Sequence, residues 1–141
     1  MMSLTHKAAE VFANDLYATQ ATGVRFVEVG EDYAKCTLDI QPIHRNAMGG
    51  VMGGVLFTLA DLAFAAAANS RNIAAGESLS WVSTNSSIHY LSQPKGNTLT
   101  AETQSIKTGR NSCIFNINLY DVNQTLISIV TTEGRRVSIE S

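Results

Sequence analysis

Four glycines stand just before a long apolar segment in the first half of the chain, and their spacing suggests chemistry. They are Gly49, Gly50, Gly53 and Gly54. Glycine lets another group approach the backbone closely, and a helix beginning there would present unpaired N–H groups with a partial positive charge. Such groups could stabilise an oxyanion or polarise a carbonyl. A flexible loop, or close packing of helix on sheet, explains glycines alone more simply, so the chemical interpretation needs a second reactive group nearby.

Asp61 supplies that second chemical group, because it is the only charged residue between Arg45 and Arg71. It follows Gly54 by seven residues, about two helical turns, and so nearly shares its helix face. A carboxylate inside a buried helix is costly unless paired. Desolvation would raise its pKa, which suits a general base or a nucleophile near neutral pH. The structural alternative is a hydrogen bond to a partner helix.

The elements around this segment follow from the spacing of apolar residues. The pattern predicts an amphipathic helix, then two strands, one helix that is apolar nearly all round and therefore buried, and four more strands. The predicted ranges are 4–18, 24–29, 33–40, 53–69, 79–91, 98–106, 112–120 and 126–137. Short hairpins indicate an antiparallel sheet. With one buried helix and one sheet, the sheet must curl around the helix, which predicts a single α+β domain over residues 1–141.

Composition excludes several classes of function. The chain has 141 residues, a net charge of −2 and no basic cluster, so nucleic acid is not expected as a partner. The segment Val51–Ala68 is too rich in alanine and glycine, and carries Asp61, so it is not expected to span a membrane. Residues 1–14 lack the pattern of a secretory signal, and we expect a cytoplasmic protein. Cys36 and Cys113 are expected to be buried hydrophobes, and the three histidines show no metal-ligand spacing.

One segment resembles the signature of a known family. Asn46-Ala-Met-Gly49-Gly-Val-Met52-Gly53-Gly54, followed by Leu59-Ala60-Asp61, resembles that of the PaaI-type hot-dog-fold acyl-CoA thioesterases, which include 4-hydroxybenzoyl-CoA and phenylacetyl-CoA thioesterase-like enzymes. The segments 88–92 and 107–110 resemble the third strand and a hairpin of that family. One departure is Met52, because the family usually has histidine at that position.

The resemblance implies a fold and a reaction. It implies a curved antiparallel sheet wrapped around one central helix, a homodimer or homotetramer, and hydrolysis of acyl-CoA thioesters without a metal or redox cofactor. The backbone N–H of Gly54 would polarise the thioester carbonyl. Asp61 of the neighbouring subunit would act as base or nucleophile, and Asn46 would hold the substrate or the water. A strand hydroxyl would assist, and alternation is expected to place the two candidates, Ser83 and Ser87, on one face.

Other residues are candidates for substrate contact. Gly53 and Met52 flank the expected carbonyl site, and His44 either approaches the acyl group or is a solvated loop histidine. Lys107 and Arg110 either meet the phosphates of CoA or form a solvated turn.

Two other functions remain open from the sequence. Met52 favours a binding protein that holds acyl-CoA or an aromatic ligand without hydrolysing it. A hot-dog dehydratase is the third possibility, and the identity of the acyl group is not encoded in any motif.

Overall fold

Six antiparallel strands form one sheet in the computed structural model, which describes residues 2–137. The helices are α1 (Leu4–Phe12), α2 (Gly53–Ala68) and α3 (Ser70–Ala75). The strands are β1 (Arg25–Gly30), β2 (Tyr33–Asp39), β3 (Trp81–Tyr90), β4 (Thr98–Thr108), β5 (Ser112–Tyr120) and β6 (Leu126–Arg136). A π-helical turn covers Tyr17–Ala21 and a 3-10 turn covers Pro42–His44.

The sheet wraps around α2. Its strand order is β1-β2-β4-β5-β6-β3, and α2 contacts all six strands. Six strands spaced about 4.8 Å apart are much wider than one helix, so a single helix can touch them all only if the sheet curves. The predicted α+β hot-dog architecture, a curved antiparallel sheet wrapped around one central helix, is confirmed.

One face of α2 is open in the single subunit. The apolar side chains of the helix pack into the core, where the ring of Phe64 meets that of Phe115 edge to face at 5.7 Å. The more accessible positions recur at helical spacing as Gly54, Thr58, Asp61 and Ala65. The expectation that this helix is buried is therefore wrong for one stripe, and Asp61 lies on that stripe.

The ends of two predicted helices differ from the structure. The first helix stops at Phe12 rather than at residue 18, because Asn14 and Asp15 follow, and such side chains compete with helical backbone hydrogen bonds. No element was predicted between residues 69 and 79, yet Ser70–Ala75 forms α3. That helix ends at Gly76, whose φ of 71° is left-handed and suits glycine.

The strand β3 lies at one edge of the sheet and pairs only with β6 within the described chain. Its register shifts between Ser83 and Asn85, so that Ser83 lies opposite Gly134 and Ser87 lies opposite Thr131. Opposed residues share a face, and neighbours alternate along a strand. Ser83 and Ser87 therefore lie on opposite faces, and the expectation that they share one is wrong because of this β-bulge.

Asn69 ties the end of α2 to the start of β3. Its side chain is only 2% exposed. The amide nitrogen donates to the carbonyls of Ala65 and Trp81, and the amide oxygen accepts from the N–H groups of Ser80 and Trp81. Four hydrogen bonds thus satisfy a buried polar group, which would otherwise be unfavourable.

The cysteines are buried and unpaired, as predicted. Burial raises the pKa of the Cys36 thiol to about 12 and also raises that of Cys113. Among residues 2–137, no helix is long and apolar enough to cross a membrane. The same residues contain no group of three His, Cys, Asp or Glu side chains that could hold a metal ion.

Candidate active site

The start of α2 presents two free backbone donors. Met52 is the N-cap, and its side chain makes no capping hydrogen bond. Its carbonyl accepts from the N–H groups of Val55 and Leu56 at 3.0 and 3.4 Å. The N–H groups of Gly53 and Gly54 have no backbone acceptor among residues 2–137. These two donors, with the helix dipole behind them, can bind a carbonyl oxygen or an oxyanion.

Gly54 faces open space. A methyl group on its Cα would meet nothing within 4 Å, and the residue is exposed. Its N–H is therefore accessible to a ligand atom. The sequence-based prediction of an oxyanion donor at this position is consistent with the geometry.

Asn46 shapes the loop before the helix. Its side-chain oxygen accepts from the N–H groups of Met48 and Gly50 at 3.0 and 3.1 Å. Its backbone N–H donates to the Gly50 carbonyl, and its carbonyl accepts from the N–H of Gly49, where φ is 85°. Only the amide –NH₂ of Asn46 is therefore available to the substrate or the water that the sequence predicts it to hold.

Two residues at this site were not identified from the sequence. A methyl group on Gly53 would lie 2.7 Å from Tyr90 Oη, so only glycine allows this close approach. A methyl group on Gly50 would lie 2.9 Å from Gln93 Oε1. The same oxygen accepts a hydrogen bond from the N–H of Val51 at 3.4 Å. Tyr90 is the last residue of β3 and Gln93 lies three residues beyond it, and no local sequence pattern connects them with the glycines.

Asp61 lies on the open stripe of α2, two turns beyond Gly54. The residue is exposed in the single subunit. Partial desolvation of the carboxyl group nevertheless raises the pKa of Asp61, and the negative charge of Asp15 raises it further. A carboxylate that binds its proton more tightly is a better base than an ordinary aspartate, once it is ionised.

The hydroxyl groups of Ser83 and Ser87 point to opposite faces of the sheet, and only one of the two faces is turned towards α2. Ser83 is opposite Gly134, where a methyl group would lie 2.8 Å from Phe64 Cζ. Ser83 therefore points towards the helix side of the sheet. Ser87 points to the other face, away from α2.

His44 is not a solvated loop residue, so that alternative is wrong, and contact with the acyl group stays a prediction. The side chain is only 4% exposed. Nδ1 accepts from the Gln41 N–H at 2.9 Å, and Nε2 lies 2.7 Å from the Thr22 carbonyl. Because both ring nitrogens are engaged with backbone, the histidine holds the loop before Asn46 against the π-helical turn.

Lys107 and Arg110 lie far from Gly54 in one subunit. They flank the β4–β5 hairpin, where Thr108 and Gly109 line a small cavity together with Ala68 at the other end of α2. A helix of 16 residues spans about 24 Å. In a single subunit these cations are therefore separated from the carbonyl site by the length of the helix. Both side chains are exposed.

Comparisons with known proteins agree with this arrangement. Residues 48–128 match the family model described as the thioesterase superfamily. The acyl-coenzyme A thioesterase PaaI of Escherichia coli is 29% identical over 139 residues, which cover 95% of this chain and 94% of that protein. A putative esterase of Archaeoglobus fulgidus is 30% identical over 115 residues, covering 81% and 71% respectively.

A solved structure shows the same fold. The Escherichia coli PaaI protein from the phenylacetic acid degradation operon superposes with a TM-score of 0.79 and 28% identity. The match covers 96% of this chain and 97% of that one. Together with the family match over more than half of the chain, this confirms the resemblance: the chain belongs to the thioesterase superfamily.

Proposed function

We propose that this protein hydrolyses acyl-CoA thioesters to a free acid and CoA. The observation that carries the proposal is the pair of unpaired N–H groups at Gly53 and Gly54, with open space beside Gly54, in a chain of the thioesterase superfamily. The Escherichia coli relative is an acyl-coenzyme A thioesterase by name, and we extend that substrate class to this chain.

The proposed reaction begins at the start of α2. The thioester oxygen accepts from the Gly54 N–H, which makes the carbonyl carbon more electrophilic. Asp61 takes a proton from water as the water oxygen attacks that carbon, or attacks the carbon itself to form an anhydride that water then cleaves. The carbon–sulfur bond breaks, and the CoA thiolate leaves and is protonated. This reaction needs no metal or redox cofactor.

A complete site requires two subunits. Gly54 and Asp61 are seven residues apart on one helix, which separates their backbones by about 10 Å. A base and an oxyanion donor must both lie within hydrogen-bond reach of one reacting group. We therefore propose that Gly54 of one subunit faces Asp61 of another.

The exposed edge of β3 supports self-association. Its ten residues, Trp81–Tyr90, include no Lys, Arg, Asp, Glu or Pro. Natural sheets usually protect a long edge with charge, proline or a covering segment. An edge strand without charge or proline suits pairing with a second copy of the chain. We propose a homodimer, or a homotetramer built from two such dimers.

The remaining candidate residues keep proposed roles. The Asn46 amide –NH₂ would hold the substrate or the water, and the Ser83 hydroxyl is better placed than Ser87 to assist because it faces the helix. Lys107 and Arg110 would meet the CoA phosphates only where a partner subunit brings the hairpin towards the carbonyl site.

The test is thiol release from a panel of short, medium, long and aromatic acyl-CoAs. Wild type and Asp61→Asn are compared with Asp39→Asn as the matched control, because Asp39 is on β2 and pairs with Arg25 at the surface. We expect hydrolysis by wild type and the control, and loss of most activity in Asp61→Asn. Wild-type activity in Asp61→Asn would contradict the role of the carboxylate. Saturable binding without hydrolysis would instead favour the binding protein.

A further inference from the structure

The hydroxyl of Tyr90 is held against the backbone that begins α2. A methyl group on Gly53 would lie 2.7 Å from Tyr90 Oη, 2.8 Å from Cζ and 3.0 Å from Cε1. The phenol therefore packs directly on the Gly53 Cα. The Gly54 nitrogen is joined to that Cα through one carbonyl carbon, so the hydroxyl lies beside the proposed carbonyl site.

The backbone of Tyr90 is well anchored. It pairs with Ser128 on β6. The Ser128 hydroxyl donates to the carbonyl of the preceding residue, His89, at 2.7 Å, and the N–H of the following residue, Leu91, donates to the Ile127 carbonyl at 2.9 Å. These bonds fix the strand end from which the phenol extends, which is what a preorganised donor requires.

The side chains of Met52 and Thr58, which flank the start of the helix, do not offer a comparable donor. The Met52 side chain has no N–H or O–H group. The Thr58 hydroxyl donates to the Gly54 carbonyl at 2.8 Å and is engaged in the helix. Tyr90 is 56% exposed, so its hydroxyl can be reached by a ligand that enters from solvent.

We propose that the Tyr90 hydroxyl donates a hydrogen bond to the thioester oxygen beside the Gly54 N–H, so that it acts as a side-chain member of the oxyanion site. The inference rests on the proposed function. Charge grows on this oxygen as water attacks, so a positioned donor stabilises the transition state more than the bound substrate. Its loss should lower kcat more than it changes KM.

The first test is Tyr90→Phe, which keeps the ring over Gly53 and removes only the hydroxyl. Tyr120→Phe is the matched control, because it removes a phenolic hydroxyl elsewhere in the sheet, on β5, which accepts from the Asn118 amide nitrogen at 3.3 Å. We expect Tyr90→Phe to lower kcat by about 10- to 100-fold with little change in KM or Tm. Tyr120→Phe should leave kcat unchanged.

A second variant tests the contact independently. Gly53→Ala should push the phenol away from the helix, and we expect a similar loss of kcat in the wild-type background. Because both changes remove the same interaction, Gly53→Ala should add little loss in Tyr90→Phe. Full additivity of the two losses would overturn the inference, since it would show that the methyl group and the hydroxyl act separately.

The outcomes separate this inference from the proposed function. If wild type is active, Asp61→Asn is inactive and Tyr90→Phe has the kcat of wild type, the Tyr90 role is wrong and thioester hydrolysis stands. If wild type hydrolyses no member of the acyl-CoA panel, the proposed function is wrong and the Tyr90 role falls with it.

Discussion

Mixing two inactive variants should restore activity if each site is shared between subunits. One variant is Asp61→Asn, which keeps the Gly54 donor and loses the base. The other is Gly54→Pro, which keeps Asp61 and loses the N–H. Proline is tolerated in the first turn of a helix, and Gly54→Ala is the control because a methyl group there meets nothing within 4 Å and the N–H is retained. Alone, we expect Gly54→Pro to lower kcat by about 100- to 1000-fold and Gly54→Ala to remain active.

Symmetry gives the size of the recovery. In a two-fold dimer, a mixed pair brings the intact Gly54 of one variant against the intact Asp61 of the other at one site, while the second site has both defects. Random exchange of equal amounts makes about half of the dimers mixed, so the expected activity is about a quarter of wild type. Sites contained in single subunits would give no recovery, because each subunit carries one defect.

A mixture of wild type with the double variant tests the shared site independently. Wild type mixed equally with the double variant Asp61→Asn/Gly54→Pro should have about a quarter of the activity of the same total amount of wild type if sites are shared, but about half if each subunit has its own site. Thiol release from each exchanged mixture, without separation of the species, measures these activities. Failure of the single variants to complement, with about half the activity in the mixture with the double variant, would refute the shared site.

Three further predictions concern single residues. Asp15→Asn should move the acid limb of the kcat/KM profile of thiol release to lower pH, because its charge raises the pKa of Asp61; an unchanged limb would contradict this coupling. Asp121→Ala should lower the free energy of unfolding by about 1–3 kcal/mol in a denaturant titration, since three backbone N–H groups lose their acceptor. These hydrogen bonds lower the pKa of Asp121. The stability difference between wild type and Asp121→Ala should therefore shrink as the pH falls through that pKa. A stability difference that grows in acid would contradict this explanation. Gly134→Ala should cost about 1–3 kcal/mol by the same titration, because the methyl group would lie 2.7 Å from Cys113 Sγ; wild-type stability would show that the core adapts freely.

Local patterns in the sequence predicted most of the sheet. The strand at 112–120 was predicted with the bounds that the structure shows, because its apolar residues alternate without a break and turns flank it on both sides. The central helix was predicted to within one residue at its end. Alternation and turn residues are local signals, so these elements could be identified without knowing which strands pair.

Features that depend on pairing or distant contacts could not be predicted in the same way. The bulge between Ser83 and Asn85 exists only relative to β6. The burial of His44 depends on the carbonyl of Thr22, 22 residues earlier. Tyr90 reaches Gly53 across the gap between a strand and a helix. The glycine motif predicted where α2 begins. Which residues contact that helix start is decided by the tertiary structure, and the motif does not contain this information.

The hydrogen bonds of Asn69 have a mechanical consequence for the proposed dimer. They join the end of α2 to Ser80 and to Trp81, the first residue of β3, so the position of the edge strand is tied to the position of the helix in each subunit. If two subunits join along this edge, a register slip of two residues would displace one helix past the other by a distance on the order of 7 Å, the rise of two strand residues. That distance would separate a base from its oxyanion donor. Alignment of the two edges would therefore set the distance between the Asp61 carboxylate of one subunit and the Gly54 N–H of the other. Substitutions that permit sliding should yield well-folded dimers without activity.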